Sequence, residues 1–190
     1  MLTRAPKTEP LLKRIRRFFK QSHAVAAVEF ALVFPFMLFL YVGTSELGQA
    51  IIVDRKVTVV SAGLGDLVAR VNSSFSMAEL NDYFAAAEAT MAPYDATDLK
   101  QVVTCVYVNA YGATNIVWSK GYNGGTPHTK NTTYPLSTEM KNISKDGYVI
   151  VAETEYEYVP LLGYVFEDGF TLYEESFFAP RYGKKINEPS

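Results

Sequence analysis

Residues 23–43 read HAVAAVEFALVFPFMLFLYVG. From Lys20 to Asp54 the chain has no Lys, Arg or Asp between those two, and its only acids there are Glu29 and Glu46. With the flanking residues up to Val53, the run exceeds the ~20 residues that a helix needs to cross ~30 Å of hydrocarbon. A helix in the core of a soluble protein has no need of an apolar surface on every side over this length. The stretch predicts a transmembrane helix over 24–50.

Charge orients it. Residues 1–23 hold Arg4, Lys7, Lys13, Arg14, Arg16, Arg17 and Lys20 against Glu9, a net of +6; the whole chain carries −2, so the remainder carries −8. A basic flank before a span stays in the cytoplasm, so the residues after it are expected on the other side. A cleaved secretory signal also starts basic and turns apolar. Its core runs ~7–15 residues and ends at a small-x-small site; this run is longer, and YVGTSELGQA offers no good cleavage site.

Within the span, Glu29 stands out. On a helix rising ~1.5 Å per residue it lies ~10 Å beyond Ser22, deep for a short side chain unless the span begins near Phe30 with Glu29 at the interface. An ionisable residue in a span marks function and calls for a partner. Pro35 removes one helical hydrogen bond and is expected to kink the helix.

Beyond the span, Val53, Val57, Val60, Leu64, Leu67, Val68 and Val71 recur at helical spacing, so the helix is expected to extend over 51–72, weakened by Gly63 and Gly65. Ser76 to Glu79 reads as a capping box opening a second helix, with Leu80, Phe84, Ala87 and Met91 on one face. From Leu99 the texture is β. QVVTCVYVN and TNIVWSKGY form a hairpin around Gly112, followed by a Gly/Thr/Asn-rich stretch, GYNGGTPHTKNTTYPL, expected as a mobile surface loop. In GYVIVAETEYEYVP, Tyr148, Ile150, Ala152, Thr154, Tyr156 and Tyr158 share one face. Val149, Val151, Glu153, Glu155 and Glu157 share the other, expected to be solvated at its acidic end. FTLYEESFFAPRYG is the last strand before a basic tail. The fold class is therefore α+β: a long N-terminal transmembrane helix continuing into a small domain, 73–190, with a short helix and an antiparallel sheet.

Chemistry is sparse. His23 sits by the membrane and His128 in the Gly/Thr loop; Cys105 lies in a β run, where buried thiols are inert. No phosphate loop, dinucleotide fingerprint or nucleophile elbow is present. The Glu153, Glu155 and Glu157 row is a weak Ca²⁺ candidate and reads better as a wet face. No catalytic residue, cofactor or metal is expected. The basic tail points to topology and anionic lipid rather than nucleic acid.

AVAAVEFALVFPFMLFLYVGTSELGQA (24–50) resembles the start of the TadE/TadG-like family, pilin-like proteins of the bacterial tight-adherence (Flp) pilus. The shared elements are the basic tail, Ala26 to Leu32, Pro35 and Glu46-Leu47-Gly48. The likeness continues in ELNDYFAAAEATMAPYDATDL, VWS and VIVAETEYEYVPLLG. It implies cutting by a prepilin peptidase between Ala24 and Val25, with Ala24 standing where the family has Gly. It also implies Glu29 as fifth residue of the mature chain and a charge used in assembly. The implied role is that of a minor pilin or assembly component acting in pilus biogenesis and surface adherence. Its implied partners are other pilin-like subunits, pilus assembly proteins and inner-membrane lipid. The implied place is the bacterial inner membrane, with the C-terminal domain periplasmic. The alternative is a membrane-tethered periplasmic binding or sensor domain that never enters a filament.

Overall fold

The computed structural model describes residues 13, 22–160, 163 and 168–190, without the side chains of 22–24. The chain forms two compact units, Met1–Glu46 and Leu47–Ser190. The basic tail, apart from Lys13, and most of 161–167 lie outside the described residues.

One helix, α1, runs Ser22–Ala69, 48 residues, and passes through Pro35 without a break. Its part in the first unit is exposed at every residue from Val25 to Leu40. Ala, Leu, Phe and Met close all their backbone hydrogen bonds within a helix, which hydrocarbon requires. Among the described residues, this is the one helix long and apolar enough to cross a membrane.

In the second unit α1 changes character. Val53, Val57, Val60, Leu64 and Val68 are fully buried, with Ala50, Ala69 and Val71 beside them. Leu67, expected in this stripe, is only half-buried. The helix stops at Ala69, and Ser73 adopts a left-handed conformation (φ 76°). The two glycines differ. A Cβ on Gly63 would meet nothing within 4 Å, whereas one on Gly65 would come within 2.5 Å of the Phe178 ring and 3.3 Å of Ala152 Cβ. Gly65 thus permits the close approach of helix to sheet. Nearby, the buried Ser61 hydroxyl donates to Ala152 O at 2.8 Å.

Helix α2, Met77–Glu88, opens with the expected capping box: Ser76 Oγ accepts from Glu79 N at 3.2 Å, and Glu79 Oε2 accepts from Ser76 N at 2.7 Å. Leu80, Phe84 and Ala87 are buried, as is Met91 in the 3-10 turn Ala89–Met91 that follows. Lys56 of α1 donates to Thr90 O (2.9 Å) and Ala92 O (2.6 Å), satisfying carbonyls at that end.

The strands are β1 (Lys100–Val108), β2 (Thr114–Tyr122), β3 (Gly147–Tyr158) and β4 (Phe170–Phe178), in the order β2-β1-β3-β4. All pairings are antiparallel. A bulge at Val117 shifts the β1–β2 register between Cys105 and Val106. Alternation sorts the faces as expected. Val103, Cys105, Trp118, Ile150 and Ala152 join the core with α1 and α2. On the other face Val106, Val108, Ile116, Val149 and Val151 form a second cluster with Tyr134 and Leu136. Burial pushes the Cys105 thiol up to about 12, consistent with an inert core residue.

Three segments depart from expectation. First, residues 121–136 lie mostly at the surface as expected, but the first two end β2 and the rest is tied to the sheet. Ile116 N donates to Thr132 O and Asn131 N to Ile116 O, both at 2.9 Å, and Tyr134 and Leu136 are buried. Second, a short helix α3, Thr138–Ile143, capped by Ser137, follows it. Third, the stretch after β4 is structural rather than a loose basic tail. Arg181 N donates to Ala69 O, Asn187 N to Ser73 O, and Trp118 Nε1 to Ile186 O at 2.8 Å. Ile186 is fully buried.

Candidate functional site

Two places carry polar groups in telling surroundings. The first is the exposed stretch of α1. Glu29 is exposed on the helix, one turn after Val25, so the two share a face. Val25 is itself half-exposed (50%). The backbone from Ala24 to Val25 is helical; the Ala24 side chain lies outside the described residues. Phe30 and Phe34 place their rings 5.4 Å apart on the adjoining surface. Glu29 is the carboxylate between Val25 and Tyr41, and all its neighbours on that stretch are uncharged. Thr44 returns its hydroxyl to Leu40 O (2.9 Å) and Tyr41 O (3.0 Å), so it adds no free polar group.

The second is a polar cluster on the sheet face away from α1. Glu153 Oε2 lies 2.7 Å from His128 Nε2, and Glu153 Oε1 accepts from the Tyr173 hydroxyl at 2.6 Å. Beside them, Tyr134 OH donates to Glu175 Oε2 at 3.2 Å. Glu153 is 8% exposed, because the 121–136 segment covers it. This corrects the expectation of a solvated acidic face: it holds at Glu157, fails at Glu153, and Glu155 is paired with Lys100 at 2.7 Å. Burial, then the bond to Glu153, pushes the Tyr173 hydroxyl well above its ordinary range; burial and the two nearby glutamates do the same to Tyr134. A cleft of about 170 Å³ opens alongside, lined by Lys100, Gly125, Thr126, Glu153, Glu155 and Tyr173.

Both Glu153 oxygens are engaged. Ser119 Oγ accepts from the backbone N–H of His128, not from its ring, and its other contact is Thr104. The Ser119 hydroxyl is therefore not paired with a general base. The Glu153, Glu155 and Glu157 row does not converge on an ion site. Among the described residues no group of three or more His, Cys, Asp or Glu side chains is placed to hold a metal.

The structure does not bring the sequence-derived residues together in one pocket. Val25, Glu29 and Pro35 lie along α1, and His128 and Glu153 lie in the second unit. The His128–Glu153–Tyr173 cluster was missed from sequence. Its members are 25 and 20 residues apart, so no local motif joins them.

Residues 24–62 match the family model of TadE-like protein, about a fifth of the chain. The matched segment takes in the exposed apolar stretch, Glu29, Pro35 and the first part of the buried stripe. No curated protein and no solved structure matches the chain.

Proposed function

We propose that this chain is a minor pilin-like or assembly component of a tight-adherence (Flp) type IV pilus. It is held in the bacterial inner membrane by a single span, N-terminus cytoplasmic, with the C-terminal domain in the periplasm. The observation that carries the reading is Glu29: a carboxylate on the apolar, fully exposed stretch of α1, inside the segment similar to TadE-like proteins. A lone acid deep in a span costs about 3 kcal/mol on insertion scales, so its retention calls for a compensating partner.

Cutting between Ala24 and Val25 supplies that partner. Hydrolysis of this peptide bond leaves an ammonium on Val25, one helical turn from Glu29. The carboxylate then pairs with its own amine or with that of a neighbouring subunit, and a paired charge in lipid costs far less than a lone one. The pair sets the register between helices, and Pro35, six residues beyond Glu29, loosens the helix. Function follows from packing of the span and periplasmic contacts with other pilin-like subunits, without catalysis.

Mass spectrometry of the protein from its host membranes tests this first. A mature chain starting at Val25 is expected; one still starting at Met1 removes the amine and with it the role of Glu29. Glu29→Gln should leave insertion intact and cut pilus assembly and adherence about tenfold, the factor for ~1.4 kcal/mol of lost pairing. Unchanged assembly would reject the pairing. The second reading, a tethered periplasmic binding domain, is favoured only by the cleft beside Lys100 and Glu153. It gains weight if deletion of the gene leaves piliation intact.

A further inference from the structure

The two edges of the sheet are finished differently. The outer edge of β2 is closed: Ile116 exchanges backbone hydrogen bonds with Asn131 and Thr132, and the bulge at Val117 breaks its regularity. Both are usual guards against strand-to-strand association. The outer edge of β4 has neither. Its register with β3 runs unbroken from Tyr158↔Phe170 to Ile150↔Phe178. Among the described residues, Thr171 to Phe178 make no backbone hydrogen bond on the side away from β3. The strand contains no Pro, Lys or Gly. Every second residue from Thr171 to Phe178 therefore presents a free N–H and C=O to the outside.

The side chains along that edge define the kind of strand that fits. Glu174 and Glu175 stand at its centre, pointing to opposite faces. Neither lies within ion-pair distance of a cation among the described residues; Glu175 accepts only the Tyr134 hydroxyl. Elsewhere in the unit Asp66 pairs with Arg70 and Arg181, Glu155 with Lys100, and Glu188 with Lys120 and Lys130. A second copy of this strand is a poor occupant. Antiparallel pairing centred on Glu174 sets it against itself, and pairing centred between the two glutamates sets Glu174 against Glu175; like charges directly opposite destabilise a ladder.

We propose that the free edge of β4 is a docking strand, and that its occupant is an extended segment of a different polypeptide with two adjacent basic residues at its centre. Main-chain hydrogen bonds to residues 171–178 supply the attachment, and the two cations neutralise Glu174 and Glu175 from either face. Tyr173, 53% exposed, and Phe177 flank them on the face away from α1 and accept apolar side chains. The proposal stands on the sheet edge alone and does not depend on pilus assembly.

The test uses the full chain in lipid nanodiscs and a synthetic peptide of about ten residues, long enough to cover one strand. It carries two central lysines between alternating threonine and valine; the control carries two central glutamates. Hydrogen exchange of the β4 amides is read by mass spectrometry. The lysine peptide should slow the outward amides of 171–178 by about tenfold or more, and the glutamate peptide by less than about twofold. The double variant Glu174→Lys, Glu175→Lys should reverse the preference. If that variant does not fold, Glu174→Gln, which removes no observed side-chain contact, must weaken lysine-peptide binding. Three results overturn the proposal: no protection by the lysine peptide, equal protection by both, or protection in the free protein that rises with its concentration. The last would place a second copy on the edge.

Discussion

The two stretches of α1 are one helix written for two solvents. From Val25 to Leu40 every residue is exposed and nearly every one is apolar. From Val53 to Val68 the residues at spacings of three and four are fully buried, and most of those between them are exposed or half-buried. The backbone is the same and only the distribution of apolar side chains differs. A uniform apolar surface has no preferred neighbour and suits hydrocarbon, where association rests on shape and polar contacts. A stripe has one preferred neighbour, the sheet, and suits water on its other side. The lesson is that the period of the apolar pattern, rather than the number of apolar residues in it, separates a span from an amphipathic helix.

Truncations should break the symmetry most strongly. Leu64→Ala removes a fully buried side chain and should cost the second unit about 2–5 kcal/mol. Leu38→Ala, in the exposed stretch, should leave the urea midpoint of that unit unchanged. Equal losses would mean the two stretches are not energetically distinct. A charge should invert the result. Leu38→Arg should cost membrane insertion about 3 kcal/mol, read by the fraction of protein resisting alkaline extraction. Val59→Arg, at a position 53% exposed between stripe residues, should change stability by less than about 0.5 kcal/mol.

The glycines sharpen the comparison within the stripe itself. Both gain about 1 kcal/mol of helix propensity when changed to Ala. At Gly63 nothing opposes the gain, so Gly63→Ala should stabilise by about 0.4–1 kcal/mol. At Gly65 the new methyl meets the Phe178 ring, and overpacking of about 1–3 kcal/mol should win, lowering the thermal midpoint. Two glycines separated by one residue would then move stability in opposite directions.

What was legible in the sequence follows the same division. The stripe, the capping box at Ser76, the hairpin around Gly112 and the sorting of β3 faces are local periodicities, and each came out as expected apart from Leu67 and the acidic end of β3. The covering of β2 by Asn131 and Thr132, the burial of Glu153 by the same segment and the threading of Ile186 under Trp118 were not legible. Alternation tells which side a residue faces, not whether a distant segment lies over it. Gly/Thr-rich composition marked 121–136 as irregular, which it is. It did not reveal that Tyr134 and Leu136 anchor the segment to the sheet. Glu29 was conspicuous as the one charge in the exposed stretch, whereas the His128–Glu153–Tyr173 cluster consists of ordinary residues whose meaning lies in their contacts.

If packing along the stripe rather than charge holds the second unit, then breaking its most strongly perturbed ion pair should do little. Lys130 and Lys120, both bonded to Glu188 (2.8 and 2.9 Å), hold its carboxyl down to about 2 from an ordinary 4.5. A depressed carboxylate contributes stability above its unfolded-state value, and that contribution fades as pH falls from about 4.5 through about 2. The pair is substantially exposed, so solvent screening discounts it to roughly 0.5 kcal/mol. Glu188→Gln should therefore lower stability by that small amount at pH 7, less in high salt, and by nothing near pH 2. The wild-type and variant curves of stability against pH should converge on acidification. A loss several times larger, or one that persists at pH 2, would mean that Glu188 acts through the packing of Ile186 and Trp118 beside it, and the division between stripe and charge would need redrawing.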